Sequence, residues 1–248
     1  MILYDAGDGI ARITLNRPEK RNALSSELLR AVREGLARAA ADESVRVVTI
    51  AGAGKDFCAG ADLASLSKEG DVLSRIDDAR EFADLFLAVR NHPRPVVALV
   101  KGRAFAGGCG LATVCDIVLA AESAQFGYSE VNVGLVPAMV TSILTRSVSE
   151  KRAFELLSTG EMISATRAET IGMINRVWPD ADFDDAAHKY VTALAAKPPS
   201  AVALSKNLLH HIDGMAFNAA LEAGVHVNAI ARQTEDAQRG IQRFLKKG

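Results

Sequence analysis

Apolar and polar positions alternate at Ile10–Leu15. Ala11, Ile13 and Leu15 face one way and Arg12 and Thr14 the other, the period of a half-buried strand. Arg17–Asn22 is a polar loop around Pro18, after which Ser25 or Ser26 can cap a helix through Leu28, Leu29, Val32 and Leu36. Val45–Ile50 is mostly β-branched and apolar, a candidate buried strand followed by the turn Gly52–Asp56. Residues 64–90 carry more charge and a helical stripe, Phe82, Leu85, Phe86 and Val89, with Lys68–Asp71 read as a mobile joint. Pro93 and Pro95 end that helix before the strand Val96–Val100, and Ile117–Ala121 is a further short strand. Strand and helix alternate in this way up to residue 150, which predicts a largely parallel sheet flanked by helices. Beyond it the pattern is mainly helical. Ser147-Val148-Ser149-Glu150 reads as a capping box for a helix through Ala153, Leu156 and Leu157. Gly172 stops another helix, Pro198-Pro199-Ser200 opens one carrying Val202, Leu204 and Leu208, and two more fill 215–246.

Composition narrows the function more than the fold. The 248 residues have room for one large α/β domain, or such a domain plus a smaller helical part. A net charge of −1 points to neither nucleic acid nor a membrane surface, and 5% aromatic residues disfavour a base-stacking platform. No apolar run reaches the ~18 residues of a membrane span. Three cysteines, Cys58, Cys109 and Cys115, have neither disulfide nor metal-cage spacing, so a reduced, cytoplasmic setting without a metal is expected. The first residues have no basic region ahead of an apolar core and do not read as a signal or transit peptide.

The chemistry is carried by glycine. Gly102–Leu111 follows a buried strand and opens a short apolar run. A glycine cluster there leaves backbone N–H groups bare at the positive end of a helix dipole, where an anion can rest. The loop lacks the Gly-Lys-Ser/Thr of a phosphate loop, and its glycine spacing does not fit a dinucleotide fingerprint. A second small-residue loop, Cys58–Leu63, also follows a strand. Two such loops can each supply one N–H to an enolate or tetrahedral oxyanion. Glu130 lies among mostly apolar residues, and burial would suit it to acid–base work near neutral pH. Each feature also has a plain structural reading: a turn for either loop, a surface or helix-starting glutamate for Glu130. Cys109 reads as a small buried residue, His210-His211 as surface or packing, and Asp116 as a structural loop acid.

Taken in order, Ile13–Pro18, Arg21–Leu24, Phe57–Leu63, Gly107–Leu111, Cys115–Ile117, Ala124–Phe126, Ser129-Glu130, Val133–Pro137, Leu157–Gly160 and Arg243–Lys247 resemble the crotonase superfamily, the enoyl-CoA hydratase/isomerase family. The resemblance implies an α/β, crotonase-like fold of repeated ββα units. It implies a core over 1–195, a C-terminal helical trimerisation region over 196–248, and a homotrimer or dimer of trimers. An acyl-CoA thioester is implied as substrate, with no cofactor beyond that coenzyme A. By position, the N–H groups of Ala61 and Gly107 would form an oxyanion hole and Glu130 would be the catalytic acid/base. Ala23, Ala59, Asp62 and Leu63 would follow the CoA path, with Lys20 or Arg21 near phosphate and Phe244 and Lys247 reaching a neighbouring subunit's CoA. Phe105, Gly110, Met139 and Val140 would line the acyl pocket.

Two departures from the family pattern bear on the reaction. Ordinary enoyl-CoA hydratases resemble Gly-Gly-Gly-Cys-Glu at the first loop and carry a second glutamate twenty positions later; here the two places are Gly110 and Glu130. Relatives usually read Pro-Gly-x-Gly-Gly-Thr where this chain has Pro137-Ala138-Met139-Val140-Thr141-Ser142. A branch resembling methylglutaconyl-CoA and isohexenylglutaconyl-CoA hydratases shares both departures. The expected activity is hydration of a 2-enoyl-CoA with Glu130 as acid/base. The alternatives are a Δ3–Δ2 enoyl-CoA isomerase, for which one carboxylate suffices, and a non-catalytic acyl-CoA-binding homologue.

Overall fold

The computed structural model describes residues 1–62 and 71–246. Strands β1 (Ile2–Gly7) and β2 (Ile10–Leu15) form a hairpin over Asp8-Gly9, both residues at positive φ as a tight two-residue turn requires. From β2 the sheet runs parallel through β3 (Val47–Gly52), β4 (Val96–Val100), β6 (Ile117–Ala121) and β9 (Arg176–Trp178). A small second sheet has β7 (Gln125–Gly127) in the middle, parallel to β5 (Arg103–Phe105) on one side and antiparallel to β8 (Ile163–Ser164) on the other.

Period-two alternation explains why β3, β4 and β6 are apolar at nearly every position. Val48, Ile50, Ala98, Val118 and Ala120 join the main core with α1 (Ser26–Ala41), α2 (Val72–Arg90) and α3 (Gly107–Val114). Val47, Val97, Leu119 and Ala121 face the other way, against Phe183, Ala187 and Val191 of a helix over Phe183–Ala195. The remaining helices are α4 (Ala138–Leu144), α5 (Glu150–Thr159), α6 (Ala165–Thr170), then α7 (the Phe183–Ala195 helix), α8 (Pro199–His211), α9 (Phe217–Gln233) and α10 (Glu235–Leu245).

Several boundaries differ from those read in the sequence. The strand expected at Val45–Ile50 runs from Val47 to Gly52, because Val45 and Arg46 close a turn onto Asp42 and Gly9. The capping box at Ser147 does not form. Ser147 N–H finishes the preceding turn on the Leu144 carbonyl at 2.9 Å, and Ser149 is the N-cap of α5, with no side-chain cap bond. Ser25, not Ser26, caps α1, its Oγ accepting from Leu28 N–H at 3.3 Å. Of the joint expected at Lys68–Asp71, Lys68–Gly70 lie outside the described residues, while Asp71 caps α2 by accepting from Ser74 N–H.

α8 is anchored by a buried charge. Lys206 Nζ donates to Asp116 Oδ2 at 2.7 Å and to the carbonyls of Val89 and Arg94, each at 3.2 Å. Asp116 also accepts from Val96 N–H at 2.7 Å, the structural role expected for it. α9 and α10 bury no residue. They leave Phe217, Leu221, Val225, Ile230, Ile241, Phe244 and Leu245 exposed. The division read at 195/196 falls in the turn between α7 and α8. Among the described residues no helix is long and apolar enough to cross a membrane, and no group of acidic, His and Cys side chains is arranged to hold a metal ion.

Candidate active site

The two glycine-type loops lie against each other. Cys58 N–H donates to the Arg103 carbonyl at 3.1 Å, and Phe105 N–H donates to the Cys58 carbonyl at 2.9 Å. On its other side the 58–62 loop pairs with Leu24, which donates to the Gly60 carbonyl at 2.8 Å and accepts from Asp62 N–H at 3.1 Å. Leu24 thus engages residues 60 and 62, and the alternation of an extended chain turns the Ala61 N–H away from it. That side is where α3 begins: a Cβ on Gly107 would stand 3.8 Å from the Ala61 nitrogen. The contact needs Gly60, which has φ +89°; a Cβ there would come within 2.9 Å of both Ala106 Cβ and the Phe105 carbonyl. Among the described residues neither the Ala61 nor the Gly107 amide donates to a protein acceptor.

Ala106 aims the second amide. It has φ 47° and ψ −126°, a conformation that costs a non-glycine residue about 1–3 kcal/mol. Its N–H donates to the Gly127 carbonyl at 2.8 Å and its carbonyl accepts from Gly110 N–H at 3.0 Å, which hold the strained bend in place. The result is a helix N-terminus whose first N–H, that of Gly107, is free for a ligand. The ring of Phe82 approaches to within 3.3 Å of a Cβ position on Gly107 and so walls this spot.

Glu130 sits in a 3-10 turn over Ser129–Val133, three residues after the Gly127 carbonyl that ties β7 to Ala106. Its Oε2 is buried and has no hydrogen-bond partner. Burial holds its carboxyl above the ordinary glutamate range, with its own backbone N–H pulling the other way. Nothing comparable stands at position 110. A Cβ on Gly110 would lie 2.4 Å from Val140 Cγ1 and 3.0 Å from Phe86 Cζ. The Ala138–Leu144 segment is helix α4, and its buried Val140 occupies the room a side chain at 110 would need.

A cavity of about 950 Å³ opens at the other end of α3 between α2, α4 and α8, lined by Thr113, Met139, Ile143, Arg146 and Asp213 among others. Met139 reaches it; Ala61, Gly107 and Glu130 do not. Phe105, half-buried, lies under the Arg103 guanidinium, 5.5 Å from its ring centre.

The residues proposed along a CoA path gather around Asn22. Its fully buried side chain accepts from Arg17 N–H at 2.9 Å and donates to the carbonyls of Ala53, Asp56 and Phe57. Ala59 N–H donates to the Arg21 carbonyl at 2.9 Å, and Arg17 bridges the Ala23 carbonyl and the Asp62 carboxylate at 2.8 and 3.2 Å. Ala23, Ala59, Ala61 and Asp62 are thereby brought together, with the exposed Lys20 and Arg21 beside them. Phe244 stands on α10, which lies against α8 and α9, and its ring is 80% exposed. Leu63 and Lys247 lie outside the described residues. Asn22→Ala is expected to cost about 2 kcal/mol in urea unfolding, because it strips buried carbonyls of their donor at a position with φ 56°. An unchanged midpoint would remove Asn22 as the knot of this loop.

The cysteines are inert by placement. All three are buried, and burial pushes the Cys58 and Cys109 thiols up to about 12. His210 lies 3.7 Å from Asp116 beside the Lys206 anchor, a packing position. Phe82, Phe86 and Tyr128 belong to the site's frame but carry no signal of it in the sequence, and Ala106, though inside the glycine loop, carries no sign there of its strained bend.

The family model for enoyl-CoA hydratase/isomerase matches residues 5–248. The chain belongs to the enoyl-CoA hydratase/isomerase family. Its fold is the crotonase fold. The crystal structure of a Mycobacterium smegmatis enoyl-CoA hydratase superimposes with a TM-score of 0.96 at 37% identity, covering 99% of this chain and 96% of that one. The structure of human enoyl-CoA hydratase domain-containing protein 3 gives 0.95 at 31% identity, with 99% and 97% covered. The 2,3-dehydroadipyl-CoA hydratase of Escherichia coli is 35% identical over 240 residues, 95% of this chain and 91% of its own.

Proposed function

We propose that this family member hydrates a 2-enoyl-CoA thioester, with the Ala61 and Gly107 amides as oxyanion donors and Glu130 as the single proton carrier. The observation that carries the reading is the pair of adjacent, unengaged N–H groups on two loops tied to the Glu130 segment. When water adds at Cβ, an O–H bond breaks, an O–Cβ bond forms and negative charge collects on the thioester oxygen. Two fixed donors stabilise that charge more than they stabilise the ground state, and losing one such donor costs about 3–4 kcal/mol. Glu130 takes the proton from water and returns one to Cα, so one carboxyl serves both transfers. Its raised affinity for protons suits it to hold one between the two events. The hydratase names of the Escherichia coli and Mycobacterium smegmatis relatives favour this reaction.

In the same proposal Lys20 and Arg21 meet CoA phosphate, and Ala23, Ala59, Asp62 and Leu63 follow the pantetheine and adenine. The arginine-held Asp62 carboxylate shapes that path through Ala23. Phe244 and Lys247 act on a neighbouring copy in a homotrimer or dimer of trimers; the exposed apolar faces of α9 and α10 support such an assembly. No cofactor beyond the substrate's coenzyme A is needed. Phe105, Gly110, Met139 and Val140 remain the proposed acyl-side residues.

The filled space at Gly110 favours a second reading, Δ3–Δ2 isomerisation, in which one carboxylate removes a proton at one carbon and delivers it at another. Crotonyl-CoA and 3-hexenoyl-CoA separate the two. Hydration of crotonyl-CoA is the expected result. Double-bond migration in 3-hexenoyl-CoA alone replaces it with the isomerase, and thioester binding without turnover leaves a non-catalytic homologue.

A further inference from the structure

Glu130 Oε2 has no hydrogen-bond partner among the described residues and the carboxyl is met by its own backbone N–H, so its position is inherited from the backbone turn that carries it. The residue that opens that turn is Tyr128, which is fully buried. Its hydroxyl lies 3.0 Å from Thr113 Oγ1 in the last turn of α3. Thr113 in turn donates to the Cys109 carbonyl at 2.9 Å. Either hydroxyl can be the donor of the Tyr128–Thr113 pair, and the Tyr128 hydroxyl also meets the Cys109 side chain. These contacts link Tyr128 through Thr113 Oγ1 to the Cys109 carbonyl, from the turn bearing Glu130 into the helix that begins at Gly107.

A second tie lies just upstream. β7 pairs with β5, and Ala106 N–H donates to the Gly127 carbonyl at 2.8 Å. Residues 127 and 128 are thus fastened to both ends of α3, and Glu130 follows two positions later. A phenylalanine would fill the same volume with no hydroxyl to satisfy in the core, so packing alone gives no reason for the phenol.

We infer that Tyr128, acting through Thr113, is a positioning residue that sets where the Glu130 carboxyl stands relative to the Gly107 amide. The inference rests on the reading of Glu130 as the proton carrier. Among the described residues the titratable groups beside Glu130 are Cys109 on α3 and Tyr128 itself, and burial keeps both neutral across the working range. A change in the pH profile on altering Tyr128 therefore reports on Glu130.

The test compares Tyr128→Phe, Thr113→Val, Thr113→Ser and Glu130→Gln in the full-length protein, with crotonyl-CoA and 3-hexenoyl-CoA. Tyr128→Phe is expected to lower kcat about tenfold with KM within about twofold of wild type, and to move the midpoint of the kcat–pH profile. Thr113→Val should do the same, Thr113→Ser should behave as wild type, and the Tyr128→Phe/Thr113→Val double variant should be no slower than either single one. Wild-type kcat and pH midpoint in Tyr128→Phe, or fully additive losses in the double variant, overturn the inference. Should Tyr128→Phe fail to fold, equal kcat in Thr113→Val and Thr113→Ser overturns it and a deficit confined to Thr113→Val supports it. A silent Tyr128→Phe beside an inactive Glu130→Gln rejects this positioning role alone. Wild-type turnover in Glu130→Gln, or no turnover of either thioester by the native chain, rejects the Glu130 reading and this inference with it.

Discussion

Glu130→Gln is expected to lower turnover by about 10²- to 10⁴-fold while making the protein more stable at neutral pH. The loss follows from removing the only carboxyl proposed to move protons beside the paired amides. Glutamine keeps the shape and cannot accept and return a proton. The gain in stability follows from burial, which raises the folded carboxyl above its ordinary value of 4.5. While both the folded and unfolded chains are protonated, the glutamate carries no electrostatic penalty. As pH rises through 4.5 the unfolded chain releases its proton first, and the fold loses stability until the raised folded value is passed. Glutamine has no proton to release and escapes that loss. Thermal unfolding should therefore show Glu130→Gln above wild type at neutral pH, with the difference closing below about pH 4. Equal stability at all pH values would mean that the carboxyl is not held in a dry site. Equal turnover would remove it from the chemistry.

Gly110→Glu, which restores the carboxylate usual at this place in hydratases, is expected to destabilise the protein by about 3–5 kcal/mol without raising hydration. The reason is steric before it is electrostatic. Even a methyl group at 110 meets Val140 Cγ1 at 2.4 Å and Phe86 at 3.0 Å, and both neighbours are buried. The longer side chain would push its charge between two apolar groups that offer no partner. Adding Val140→Ala should return part of the stability by opening the contact, which a melting-temperature comparison of the single and double variants would detect. A Gly110→Glu protein with wild-type stability and faster hydration of crotonyl-CoA would show that the second carboxylate was merely lost and that the site still has room for it.

The main strands and most helices were readable because their patterns are long enough to have a period. Val96–Val100 and Ile117–Ala121 form as strands at the bounds read from their apolar runs. The Phe82–Val89 stripe faces the core or its edge. β1, β5, β7, β8 and β9 were not readable. β5, β7, β8 and β9 have two or three residues each, too few to show alternation, and β1 buries none of its residues. The capping box at Ser147 failed for a related reason. Its signal is local, while the preceding helix had a prior use for that N–H.

By itself the sequence determined the family, through short motifs in a fixed order, and with it pointed to the two loops and the glutamate proposed for the chemistry. Those features are legible because a backbone that must bend sharply or approach a ligand admits few residue types, and glycine at positions 60, 107 and 108 is the trace of that demand. What only the tertiary structure decided is how the pieces meet. Ala61 and Gly107 are 46 positions apart in the chain, yet a Cβ on Gly107 would stand 3.8 Å from the Ala61 nitrogen, because Leu24 turns one amide and the strained Ala106 turns the other. Gly110 read as a missing carboxylate; Val140 and Phe86, from two other helices, make it an occupied space. Tyr128 stands two positions before Glu130 in the chain, and the fold fastens its hydroxyl to α3. Contacts of this kind depend on distances between side chains remote in sequence, and no local pattern of residue types records a distance.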